Sequence, residues 1–142
     1  MEKLRHGEIT DLLIKAFFRV YNTLGHGFLE KVYENAMALE ARSHGLKVEQ
    51  QMATKVFYGE NVVGEYFADL AINDRIIIKL KSAGALAPKH EAQLTNYLKA
   101  THFEIGLLLN FGEKPEFRRR ILDNNRKGNH QWCNPNPSKL NP

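Results

Sequence analysis

The chain has 142 residues, 43% of them apolar and 25% charged, with a formal net charge of +4. This suits one domain with a single core and an ordinary globular composition, and no apolar run approaches the length of a membrane span. The lone cysteine, Cys133, excludes an internal disulfide and a cysteine metal cage.

The first residues, Met1-Glu2-Lys3-Leu4-Arg5, lack the apolar core of a signal peptide, so the cytoplasm is the expected compartment. The weak positive charge permits contact with phosphate without requiring it. Cys133 lies in a polar stretch with no positioned base beside it, which argues against a nucleophile.

The spacing of Ile9, Leu12, Leu13, Ala16, Phe17, Val20, Tyr21 and Leu24 predicts a helix over 6–24 with one apolar face. Gly25-His26-Gly27 breaks it. A second helix is predicted from Phe28 to Ser43, with Leu29, Val32, Tyr33, Ala36 and Met37 inward and Gly45 as its stop. Leu46 to Tyr58 reads as a strand weakened in its middle by Gln50-Gln51. After a turn at Gly59-Glu60-Asn61, Val62 to Ile72 and Ile76 to Lys81 read as two more strands. Pro88 opens a third helix running to about Thr101, where its missing N–H costs nothing. Phe103 to Phe111 is nearly all apolar and suits a strand covered on both faces. Glu116 to Leu122 alternates as a last strand, with Arg118 to Arg120 read as charge blunting a sheet edge. The predicted order is α-α-β-β-β-α-β-β, an α/β fold with a mixed central sheet flanked by helices. One domain is expected over 1–123, followed by a disordered polar tail over 124–142.

The phase of the central hairpin decides what faces what, because a slip of one residue inverts every side chain. A two-residue turn at Asn73-Asp74 would set Asp69 among aliphatic side chains. A three-residue loop, Asn73-Asp74-Arg75, instead pairs Leu70 with Ile78 and Asp69 with Lys79. Ala68, Leu70 and Ile72 then share one face with Ile76, Ile78 and Leu80, while Asp69, Lys79 and Lys81 share the other. The longer loop is the expected one.

An Asp on one strand and an x-Lys pair on the next is the layout of a metal-dependent phosphodiesterase site. Such a site needs carboxylates to hold Mg²⁺ or Mn²⁺ and a cation near the attacking water. Asp69 supplies one carboxylate, Leu80 offers a backbone carbonyl, and Lys81 is placed to position water or stabilise developing charge.

On these residues the chain resembles the GxxExxY proteins of the PD-(D/E)xK nuclease superfamily. Gly27-Phe28-Leu29-Glu30-Lys31-Val32-Tyr33 matches the naming motif, Asp69 the motif aspartate and Lys81 the motif lysine. Gln93-Leu94-Thr95-Asn96-Tyr97 matches a Q-x-x-x-Y helix motif, and His90-Glu91-Ala92-Gln93 and 106–112 are also similar. The resemblance covers about 9–121 and implies a restriction-endonuclease-like fold, a nuclease-type activity with Mg or Mn, and a nucleic-acid partner. It further implies that Glu30 is an accessory acid of the site and that Gln93 and Tyr97 approach the metal water or the substrate phosphate. The motif glutamate, however, falls on Lys79, and a protonated lysine cannot coordinate a divalent ion.

An ammonium at that position is expected to turn toward Asp69 and Glu30 and neutralise them as a metal would, keeping the fold and losing hydrolysis. An active enzyme instead needs another acid, for which Glu65 and Glu91 are the candidates. A third reading is an interaction module that never touches nucleic acid. The residues alone also allow a bland account: Asp69 as a strand-end ion pair, Glu30 as a first-turn acid on the helix dipole, Tyr33 as core, and Gln93 and Tyr97 as surface and lid. The six histidines show no zinc spacing.

Overall fold

The computed structural model describes residues 6–128. Helices α1 (His6–Leu24) and α2 (Glu30–Ser43) precede strands β1 (Val48–Tyr58), β2 (Asn61–Ile72) and β3 (Ile76–Lys81). Helix α3 (Pro88–Ala100) and strands β4 (Ile105–Phe111) and β5 (Pro115–Ile121) complete the order expected from the sequence. The five strands form one mixed sheet in the order β1-β2-β3-β4-β5. All neighbours are antiparallel except β3 and β4, which run parallel and are joined through α3. A parallel pair needs such a crossover, and the helix covers the sheet face it crosses.

The core divides between the two faces of the sheet. On one face, α1 and α2 bury Leu13, Phe17, Tyr33 and Met37 against Leu70, Ile72, Ile76, Ile78, Leu107 and Leu109. Phe111 is its centre, stacked on Tyr33 at 4.3 Å between ring centroids and edge-on to Phe17 at 4.9 Å, in the arrangements that aromatic quadrupoles favour. On the other face, Leu94, Tyr97 and Leu98 of α3 meet Ala71, Ile77 and Leu108. Helix α3 lies so close to β4 at Gly106 that a Cβ there would come within 2.7 Å of the Leu94 side chain.

The central hairpin has the longer loop. Leu70 pairs with Ile78, Ala71 with Ile77 and Ile72 with Ile76, leaving Asn73, Asp74 and Arg75 between the strands. Asn73 and Asp74 adopt φ of 52° and 54°, and the Arg75 N–H donates to the Ile72 carbonyl at 2.9 Å, the signature of a type I′ turn, whose twist matches that of the strands it joins.

One expectation about facing is corrected. Ala68 lies on the α3 face of the sheet, not with Leu70 and Ile72. The cause is in the neighbouring strand, where Gln51 takes φ 53°. Val48 and Gln50 face α1 and α2, whereas Met52 and Thr54, just past the kink, face α3. Strand β2 makes the same change of face at Asp69, opposite Gln51. Beyond that point β2 no longer pairs with β3, so 52–58 and 61–68 leave the sheet as a two-stranded arm.

The described chain does not stop at Asp123. A 3-10 turn spans Asn124–Arg126, and the buried Lys127 ammonium donates to the carbonyls of Thr101 and Phe103. Residues 124–128 thus carry structure where a tail is expected, because one cation satisfies two carbonyls at the end of α3. The rest of that stretch, 129–142 with Cys133, lies outside the described residues, as do residues 1–5. Among the described residues no helix is long and apolar enough to cross a membrane.

Candidate functional site

Asp69 sits where β2 parts from β3, at the fork of the sheet. One oxygen, Oδ2, accepts the Leu80 backbone N–H at 2.6 Å, and Oδ1 accepts from the Gln51 amide at 3.2 Å. The Lys79 ammonium lies 3.7 Å from Oδ2 and donates to the Phe67 carbonyl at 3.0 Å. Their side chains are 17% and 23% exposed, so the pair is shielded from water more than a surface ion pair is. Lys79 is thus turned toward Asp69 alone; the contact with Glu30 expected beside it is not made, since Glu30 reaches Ser82.

Glu30 is exposed and reaches elsewhere. Its Oε2 accepts the Ser82 N–H at 3.3 Å, one residue past Lys81 at the C-terminal end of β3. Lys81 is partly buried, and its ammonium forms no hydrogen bond or ion pair with a described residue. His90, in the first turn of α3, lies within the field of Lys81, Lys89 and Glu30. Its Nδ1 accepts the Ala87 N–H at 3.0 Å, which fixes the neutral ring with its proton on Nε2. Burial, then Lys81 and Lys89, push its pKa below the ordinary imidazole value, against Glu30, which pulls it up.

The other expected residues are placed as follows. Tyr97 is buried on α3, donates to the Met52 carbonyl at 2.8 Å and stands 3.4 Å from the Thr54 hydroxyl. Burial raises its pKa, with smaller opposing bonds from Thr54 and Ala68. Gln93, one turn earlier, is exposed. Glu91 is held by Arg118 and Arg120, and Glu65 is exposed on the arm opposite Lys55. Arg119 pairs with Asp11 at 3.9 Å, so the three arginines of β5 meet acids on both sheet faces. Tyr33 donates to the Gly25 carbonyl at 2.6 Å and accepts the Phe28 N–H, tying down the loop ahead of α2.

Sequence reasoning missed Glu34. It is 3% exposed on α2 and accepts from Lys31 at 3.0 Å, Gln50 at 2.8 Å and Gln51 at 2.6 Å. Burial pushes its pKa up, but the bonds from Gln50, Lys31 and Gln51 together outweigh it and the net shift is downward. The Gln51 amide nitrogen therefore bridges two carboxylates, Glu34 and Asp69. A signal existed in the sequence. Glu34 follows Tyr33 and precedes Met37 by three, on the margin of the apolar face, with Lys31 three residues before it.

The loop after Lys81 is clamped. The buried Asn110 side chain accepts from the Ala83 N–H at 2.9 Å and donates to its carbonyl at 3.1 Å, and Glu116 accepts the Leu86 N–H. A Cβ on Gly112 would fall 1.9 Å from the Ala83 oxygen, so only glycine admits the loop there.

The donor set can be compared with what a divalent cation requires. Asp69 already has both oxygens in use, its neighbour in the ligand position is an ammonium, and Glu30 is directed to Ser82. Among the described residues no three His, Cys, Asp or Glu side chains converge as metal ligands. As arranged, these residues do not fit Mg²⁺ or Mn²⁺.

Among solved structures three chains match, one of them titled "Crystal structure of SSO0001". The similarity covers 82% of this chain and 59% of that one, at 18% identity and a TM-score of 0.53, and therefore speaks to the fold. No curated protein matches. The family profile of the PD-(D/E)XK nuclease superfamily matches residues 7–120, from the start of α1 through nearly all of β5. That span takes in the sheet except the last residue of β5, with the fork holding Asp69, and the chain belongs to this superfamily, whose members usually bind divalent metals.

Proposed function

We propose that the chain is a GxxExxY-type nuclease-like protein in which Lys79 impairs metal-dependent phosphodiester hydrolysis while contact with nucleic acid is retained. The observation that carries this reading is the Lys79 ammonium, 3.7 Å from Asp69 at the motif-glutamate position. It supplies positive charge where the superfamily's metal would, and it cannot donate a lone pair while protonated. Contact with a phosphate is supported by the C-terminal end of β3. There Lys81, unpaired among the described residues, and the Nε2–H of His90 offer two donors near the start of α3, the region of an open α/β sheet where ligands bind.

Calorimetric titration of Mn²⁺ into the protein and into Lys79→Glu tests the reading. Negligible binding by the unmodified protein is expected. The variant is expected to gain at least about tenfold in affinity, ~1.4 kcal/mol, because the introduced carboxylate and Asp69 would repel without a cation between them. Parallel assays on labelled single- and double-stranded DNA and RNA are expected to show binding that weakens as salt rises. Metal-dependent cleavage by the unmodified protein would overturn the proposal in favour of an active nuclease with a relocated ligand. Binding insensitive to salt would favour an interaction module.

A further inference from the structure

The arm formed by 52–58 and 61–68 carries one face toward α3 and one toward solvent. Met52, Thr54, Tyr66 and Ala68 face α3, where Tyr66 sits edge-on to Tyr97. By alternation the opposite face holds the cross-strand rows Ala53 with Phe67 and Lys55 with Glu65. A third row, Phe57 with Val62, follows a register shift between Val56 and Phe57 that leaves Val63 as the extra residue. Phe67 is 46% and Val62 51% exposed, Ala53, Lys55 and Glu65 are exposed, and Phe57 is half-buried. An apolar face of this kind on a projecting ribbon is a site of association. Its charges do not favour nucleic acid, since Lys55 is matched by Glu65 opposite it.

We propose that this face is a two-fold interface with a second copy of the chain, the arms lying face to face and parallel. The choice follows from the central row. A two-fold axis across the strands would set Lys55 over Lys55 of the second copy and Glu65 over Glu65. An axis along the strands sets Lys55 over Glu65 twice. It also lays Phe67 over Ala53 and Phe57 over Val62, large against small, in both directions. Isologous contacts require such self-complementarity, and like charges opposed at an interface are strongly selected against. Aligned packing of two ribbons keeps the three rows in register over so short a length. Because the arms run parallel, the Asp69 forks of both copies come to the same end of the joint.

Sedimentation of the full chain across the micromolar range tests this. The unmodified protein is expected to show a concentration-dependent dimer. Lys55→Glu alone and Glu65→Lys alone are each expected to weaken dimerisation at least ~10-fold, through paired like charges. Mixing the two variants is expected to restore a dimer, since each acid then meets a base on the other chain. That rescue separates association from damage to the hairpin within one chain. A protein that stays monomeric throughout, single variants that dimerise as the parent does, or a mixture that stays monomeric would each overturn the proposal.

Discussion

Beside the fork, charge at one side chain is felt by the next: His90 lies in the field of Lys81, Lys89 and Glu30. His90 can take a second proton only on Nδ1, which would break its bond from the Ala87 N–H. Its folded pKa is depressed, so the unfolded chain takes the proton first. Stability is therefore full above about pH 6.5 and falls as pH drops through the depressed value. Glu34, also depressed, adds a second loss as pH falls below the ordinary carboxylate range. Urea midpoints are expected to decline from neutral to mildly acid pH, then more steeply. His90→Gln, which offers an acceptor without titrating, is expected to flatten the first decline only. At this scale the sequence showed Asp69 and Lys79 as neighbours through hairpin counting. It hinted at Glu34 only through Lys31, three residues before it, because its other partners lie 16 and 17 residues away in β1, and it did not show that Glu30 turns to a backbone amide beyond the strand.

At the level of elements, periodicity carried far. The α1 face, the three-residue loop and the alternation of β5 were legible because burial on one side enforces a period. The expected α2 face is corrected: Leu29 and Val32 are exposed, and the helix, which starts at Glu30, buries Tyr33, Glu34, Met37, Ala38 and Ala41 instead. Gln50-Gln51 read only as a weak point in a strand. It is instead the kink where the arm turns, and a left-handed φ at a glutamine has no sequence signature. The arginines of β5 read as solvated edge charges, because their acids come from α1 and α3 and are visible only once those helices dock. The Ala83 clamp is a property of the β3–α3 loop as a unit. Gly112→Ala is expected to cost about 1–3 kcal/mol by forcing that loop off β4, measured as a drop in urea midpoint. Asn110→Ala, which removes both bonds to Ala83, is expected to destabilise in the same direction.

For the molecule as a whole, the two half-cores are unequal, and the larger is organised around Phe111. Phe111→Ala is expected to cost about 3–5 kcal/mol, read by denaturation, since its ring touches both α1 and α2 through Phe17 and Tyr33. The order of elements was readable because each has its own period and punctuation. The arm's departure from the sheet was not, because it depends on where β2 and β3 stop pairing in space. Gln51 links these levels, since a single amide group is held in common by a helix carboxylate and the carboxylate at the fork. The two acids are thereby tethered mechanically. Whatever draws the Gln51 amide toward one carboxylate takes it from the other, so a change at Asp69 reaches α2 through Glu34.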